Sequence, residues 1–172
     1  MGRVTFAATT GDDIAELARD MRAADRDEIV AAAGPDVLET LRLSVAASVD
    51  SWAARTPEGL LCIFGTAAMS LTAREGSPWM LGTPLLDRHR RSLIKTADAY
   101  IRGMLRVFPV LANHVDARNA ASIKRLGWLG FEFGEPEPYG VQGLPFRRFE
   151  RREGNRSCVM RERQQRRQAR PH

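Results

Sequence analysis

The chain has 172 residues, 44% of them hydrophobic and 27% charged, which suits one globular domain large enough to bury its own core. It holds no run of about 18 apolar residues, so no membrane span is expected, and its two cysteines, Cys62 and Cys158, form neither a disulfide framework nor a metal-ligand spacing. The net charge of +5 is uneven: residues 147–172 hold ten Arg against three Glu, which leaves the preceding residues at −2.

From the N-terminus, Arg3 to Ala8 reads as a first strand. Thr10-Gly11-Asp12-Asp13 then has the pattern of a helix cap, and Ile14, Leu17, Ala18 and Met21 follow at helical spacing. Polar residues interrupt at 25–28, and apolar content resumes over 29–33. Gly34-Pro35 punctuates, and Leu38, Leu41, Val45 and Val49 line one face of a second helix. Trp52 to Arg55, a Pro57-Glu58-Gly59 turn and Leu60 to Ser70 read as strand, turn and strand. Pro78 to Thr83 is a further strand. Asp87 to Arg106 is a helix with an apolar face from Leu93 to Leu105. Residues 107–115 form a strand, Asn119 to Leu129 a helix, Phe131 to Phe133 a strand start, residues 136–143 a loop and Phe146 to Phe149 a last strand. The order is β-α-α-β-β-β-α-β-α-β-β, an α/β (α+β) domain with a mixed central sheet and helices on both faces. Trp79 and Trp128 are expected in the core. The domain spans residues 1–150, and 151–172 form a basic, flexible tail suited to contact with DNA, RNA or an acidic surface. Without an apolar signal core near the N-terminus, a reducing cytosol is the expected compartment.

The stretch Asn119 to Phe131 resembles the terminal helix of the GNAT fold of acyl-CoA N-acyltransferases, Asn-x-x-(small)-x-x-Leu-Tyr-x-x-x-Gly-Phe. Asn119, Ser122, Gly130 and Phe131 fall on that spacing. The phrases RDEIVAAAGPD, CIFGTAAMSL, SPWMLGTPLLDRHRRSLIK, HVDARNAASIKRLGWLGFEF and FRRFER resemble a more specific group over roughly residues 3–151. That group is a family of tailed-bacteriophage GNAT-like proteins, described as internal-virion or virion-assembly proteins and also as candidate acetyltransferases. The resemblance implies virion-protein partners, and a place in the host cytoplasm during infection or inside the particle. It implies acetyl-CoA as cofactor if the chain is an enzyme.

Two of the family's catalytic parts are altered here. The glycine-rich phosphate loop corresponds to Thr83 through Ser92, which holds no glycine, so Arg88, His89, Arg90 and Arg91 read either as side-chain phosphate contacts at the helix start or as a solvated basic first turn. The acid tyrosine corresponds to Leu126. Asn119 matches a residue that commonly contacts CoA. Glu58 and Glu75 flank the middle strands as candidate bases. His114 and Asp116 lie two apart at a strand end and so share one face. They read either as an acid/base pair or as a strand-end polar residue beside a helix anchor. A GNAT-fold virion component with degraded catalysis is the function these departures suggest. The alternative is an active N-acetyltransferase acting on a host protein or small amine.

Overall fold

The computed structural model describes residues 3–154 except 71 and 73, so most of the basic tail, with Cys158, lies outside the described residues. In chain order the elements are β1 (Thr5–Ala8), α1 (Gly11–Asp20), α2 (Ala23–Ala33), α3 (Val37–Ala47), β2 (Ser48–Thr56), β3 (Gly59–Ser70), β4 (Glu75–Gly82), α4 (Leu85–Val107), β5 (Val110–Asp116), α5 (Ala120–Trp128), β6 (Glu132–Tyr139) and β7 (Leu144–Arg152). One seven-stranded sheet has the order β1-β2-β3-β4-β5-β7-β6. Neighbours are antiparallel except β4 and β5, which run parallel on either side of the α4 crossover.

Alternation along the strands distributes the core between two faces. Ile63, Trp79 and Leu81 pack with Ile14, Leu17, Ile29 and Leu41 of α1, α2 and α3. Cys62, Phe64 and Met80, offset by one residue, pack with Leu86 and Leu93 of α4. Leu111 and Val115 of β5 join Ile101 and Leu105 of α4 and Leu129 and Phe131 at the end of α5. Helices therefore cover both faces, and the cap read at Thr10 forms as a capping box with Asp13. Gly130 takes φ +83, the left-handed conformation that ends α5 before Phe131 turns inward.

The first helical region contains three helices rather than two. The chain breaks between α1 and α2, where Arg22 is extended (φ −56, ψ 142) with no glycine or proline to mark it. A buried ion pair holds the break: Arg22 Nη2 donates to Asp25 Oδ1 at 2.7 Å, and Asp25 Oδ2 accepts the Gly82 amide at 2.8 Å. Val49, placed by periodicity on a helix face, lies in β2 and is 55% exposed. Residues 136–139, read as loop, continue β6 as an edge strand, where Pro136 and Pro138 cost no ladder bond to a second neighbour. Trp128 is exposed, not in the core. β7 runs to Arg152 and Arg151 is buried, so the folded domain continues past residue 150. Among the described residues no helix is long and apolar enough to cross a membrane.

Candidate functional site

β4 and β5 pair at Glu75↔Val110 and Gly76↔Leu111 and then diverge. Their carboxyl ends frame a gap in the sheet, the position at which open α/β sheets bind ligands. A cavity of about 270 Å³ occupies it and reaches the helices on both faces. Asn113 of β5 spans the gap, its Nδ2 donating to Pro78 O at 3.1 Å. Beyond Gly76 the facing strand edges have lost each other as partners, so their peptide groups can serve an extended ligand.

Glu28 of α2 lines this cavity. Burial pushes its carboxyl up to about 7, against a hydrogen bond from Asn119, while the carboxylates of Asp25 and Asp116 add to the rise. Asn119 is buried at the start of α5, and both ends of its amide are engaged. Oδ1 accepts from the Ser122 amide at 3.2 Å, and Nδ2 donates to Glu28 Oε2 at 3.0 Å. His114 also lines the cavity, its ring stacked on Tyr139 at 4.0 Å and 12°. Burial lowers its pKa, the Arg148 guanidinium adds to the fall, and the Glu137 carboxylate, 3.8 Å away, opposes it. The imidazole is therefore neutral at pH 7 and able to accept a proton.

Asp116 does not join His114. Arg118 Nη2 donates to its Oδ2 at 2.6 Å and the Arg118 amide to its Oδ1 at 2.8 Å; this pairing holds the carboxyl below the usual range. Asp116 thus anchors the turn into α5, and the titratable carboxyl that lines the cavity with His114 is that of Glu28. Nothing local in the sequence marks Glu28, which sits in the polar stretch between two apolar runs, 91 residues before Asn119. Asn119, read as the start of its helix and as the match to a CoA-contacting residue, caps α5 and holds Glu28.

At the basic start of α4 the two described basic side chains face an acid. Arg88 is exposed with Nη1 3.7 Å from Glu58, and His89 is buried with Nε2 3.6 Å from the same carboxylate. Neither lines the cavity. The side chains of Arg90 and Arg91 lie outside the described residues. The first-turn amides of Leu86 and Asp87 already donate to Thr83 O and Pro84 O. A Cβ at Gly82 would stand 2.5 Å from Leu86 Cδ2, so the closeness this glycine permits is to α4 itself. Glu75 meets Arg148 at 3.4 Å and also stands outside the cavity.

Leu126 lines the cleft without a proton to give. Tyr100 packs against the core of α4 and β5 and also reaches the cavity, with its hydroxyl donating to Asp50 Oδ1 at 2.7 Å and burial raising its pKa. Burial pushes the Cys62 thiol up to about 12, so this cysteine is no nucleophile near neutral pH. Arg125 of α5 also lines the cavity. Among the described residues no group of His, Cys, Asp and Glu is placed to hold a metal ion.

No family model matches the chain, and no curated protein matches it in sequence. Solved structures do match. A candidate acetyltransferase of Acinetobacter baylyi superimposes with a TM-score of 0.66 at 16% identity, over 90% of this chain and 94% of that one. The spermidine N-acetyltransferase of Vibrio cholerae, solved with CoA and spermine, gives 0.63 at 16% identity, over 88% and 96%. A GNAT-superfamily phosphinothricin acetyltransferase of Sinorhizobium meliloti, solved with acetyl-CoA, gives 0.63 at 14% identity, over 87% and 88%. The chain has the GNAT fold. At these identities the likeness speaks for the fold, and the chemistry must come from the cleft.

Proposed function

We propose that the chain is an acyl-CoA-dependent N-acyltransferase, with a small primary amine or a protein amino group as acceptor. The observation that carries this reading is one cavity at the β4–β5 gap lined by two groups suited to take a proton near neutral pH, Glu28 at about 7 and a neutral His114. The GNAT-fold neighbours solved with CoA or acetyl-CoA support it by analogy of fold.

The residues present fit an extended acyl thioester: diverging strand edges flank the gap, and Asn113 bridges it with a side chain that can exchange Pro78 O for a ligand carbonyl. When bound, the carrier supplies the activated acyl group. Glu28 then takes the proton an amine must lose before it can attack, and Asn119 keeps that carboxylate in place. His114, against Tyr139, is a second acceptor in the same space. Leu126 brings no phenol to the cleft. A thiol of pKa about 8.5 can leave without one, so a slow enzyme is expected rather than a dead one.

Calorimetry with acetyl-CoA, paired with a thiol-release assay over a panel of primary amines and amino-terminal peptides, tests the proposal. Binding in the micromolar range with amine-dependent thiol release is expected. No heat and no thermal shift at millimolar acetyl-CoA would overturn it. A virion-assembly role rests on the sequence phrases alone, and mass spectrometry of purified particles is its test.

A further inference from the structure

Arg125 is a charged residue of the cleft that the fold leaves unpaired. It is partly buried and lines the cavity, yet among the described residues its guanidinium makes no hydrogen bond or ion pair. Several other buried or half-buried arginines are closed by acceptors: Arg22 by Asp25, Arg55 by Asp13 and Glu16, Arg151 by Leu129 O; half-buried Arg147, outside the cavity, shares the lack. The acids nearest in charge to Arg125 are Asp25 and Asp87, and both are taken up by Arg22, at 2.7 and 3.1 Å. Burial lowers the Arg125 pKa and Arg22 adds to the fall, while the carboxylates of Asp25 and Asp87 oppose it from beyond hydrogen-bond reach. A group in that state is costly unless a ligand completes it.

The surroundings indicate which ligand. Asp25 is hydrogen-bonded to Gly82 at the end of β4, and Asp87 is in the first turn of α4, so the two carboxylates that act on Arg125 flank the junction between β4 and α4. At that junction the Leu86 and Asp87 amides are already used, and Gly82 is filled by Leu86. A phosphate arriving there finds no backbone cradle, and Arg88 and His89 are turned to Glu58 outside the cavity. A guanidinium offers five donors in a planar fork, matched to two oxygens of a phosphate.

We propose that Arg125 binds the diphosphate of the acyl carrier, a side-chain replacement from α5 for the glycine cradle absent after β4. This rests on the acyltransferase reading above. The experiment compares CoA with pantetheine, which lacks the phosphates, on the wild type, Arg125→Leu and Arg125→Lys by calorimetry, alongside melting curves without ligand. Arg125→Leu is expected to weaken CoA binding about tenfold or more, to leave pantetheine binding unchanged, and to melt close to the wild type because no hydrogen bond or ion pair among the described residues is lost. Arg125→Lys keeps part of the CoA affinity as a point charge. Equal CoA affinity in wild type and Arg125→Leu, or equal losses of CoA and pantetheine in a variant that melts normally, would overturn the assignment. If the wild type binds neither, the acyltransferase reading itself falls and takes this one with it.

Discussion

Glu28 on α2 and Arg125 on α5 line one cavity from helices on opposite faces of the sheet, and the fold treats them differently. Glu28 is supplied with a neutral donor, Asn119 Nδ2, so it is positioned without being forced to ionise. Arg125 is supplied with nothing, although the two carboxylates nearest in charge to it sit in the same neighbourhood. A group that must change its protonation needs a neutral hydrogen-bond partner; a group that waits for a charged ligand must be left incomplete. On the acyltransferase proposal the α2 wall serves proton transfer and the α5 wall binding, with Asn119 at the start of α5 joining them.

The largest effect is expected from Glu28→Gln. The variant keeps an acceptor for Asn119 but takes no proton, so kcat/KM for amine acylation should fall about 10²–10⁴-fold with carrier affinity unchanged. In the wild type the rate should rise with pH through about 7, where Glu28 gives up its proton, and this limb should vanish in the variant. A limb that survives would move the base to His114 and dissolve the division between the walls.

Next in size is Asp25→Ala, which strands the buried Arg22 and releases the Gly82 amide. Loss of one partner of a buried pair costs about 3–5 kcal/mol, readable as a shifted midpoint in urea. Because Asp25 ties the α1–α2 break to the end of β4, both ligands of the cleft should weaken together. A variant that loses only one would show that the walls do not share this support.

The same arrangement explains how far the sequence could be read. α5 was legible because a local cap, a 3.6-residue period and a terminal glycine coincide between Asn119 and Gly130. The α1–α2 break was not, since it is enforced by Gly82, 57 residues from Asp25. His114 was legible as a polar residue at the end of an apolar strand. Of the two readings of His114 with Asp116, the contacts that form are those of the helix anchor, because Arg118, two residues on, binds that carboxylate. On the binding wall, the basic run from Arg88 to Arg91 drew attention by composition, whereas Arg125 stands alone on a helix and shows its meaning only through the acceptors it lacks.

A third test separates stability from catalysis at Glu28. Its carboxyl rises from an ordinary value of 4.5 to about 7 in the folded chain. A raised folded pKa means that the protonated form is favoured by folding. The contribution is complete below about 4.5 and is lost as pH rises through about 7. At 1.36 kcal/mol per pKa unit this comes to about 3 kcal/mol. Urea unfolding at pH 5 and pH 8 should therefore show Glu28→Gln gaining on the wild type by about 2–3 kcal/mol at the higher pH. No gain would mean that Glu28 titrates as an ordinary surface carboxylate and that the proton-transfer wall is not distinct.

The smallest effect concerns what covers that wall. The turn between β6 and β7 docks on the last turn of α2, with the Val141 amide donating to Ala32 O and the Gln142 amide to Ala31 O, both at 3.2 Å. Gly140 makes the contact possible: it has φ +70, and a Cβ there would stand 2.5 Å from Ala32 Cα. Gly140→Ala should cost about 1–3 kcal/mol, because both the backbone conformation and the space oppose a methyl group. Tyr139 immediately precedes this glycine and stacks on His114, so undocking the turn loosens the side of the cleft that Glu28 and His114 share. The expected kinetic result is a raised KM for the amine with CoA affinity unchanged, since among the described residues the backbone hydrogen bonds of the hairpin tip go to α2 and not to α5. Equal weakening of both ligands would mean that the two walls close as one unit.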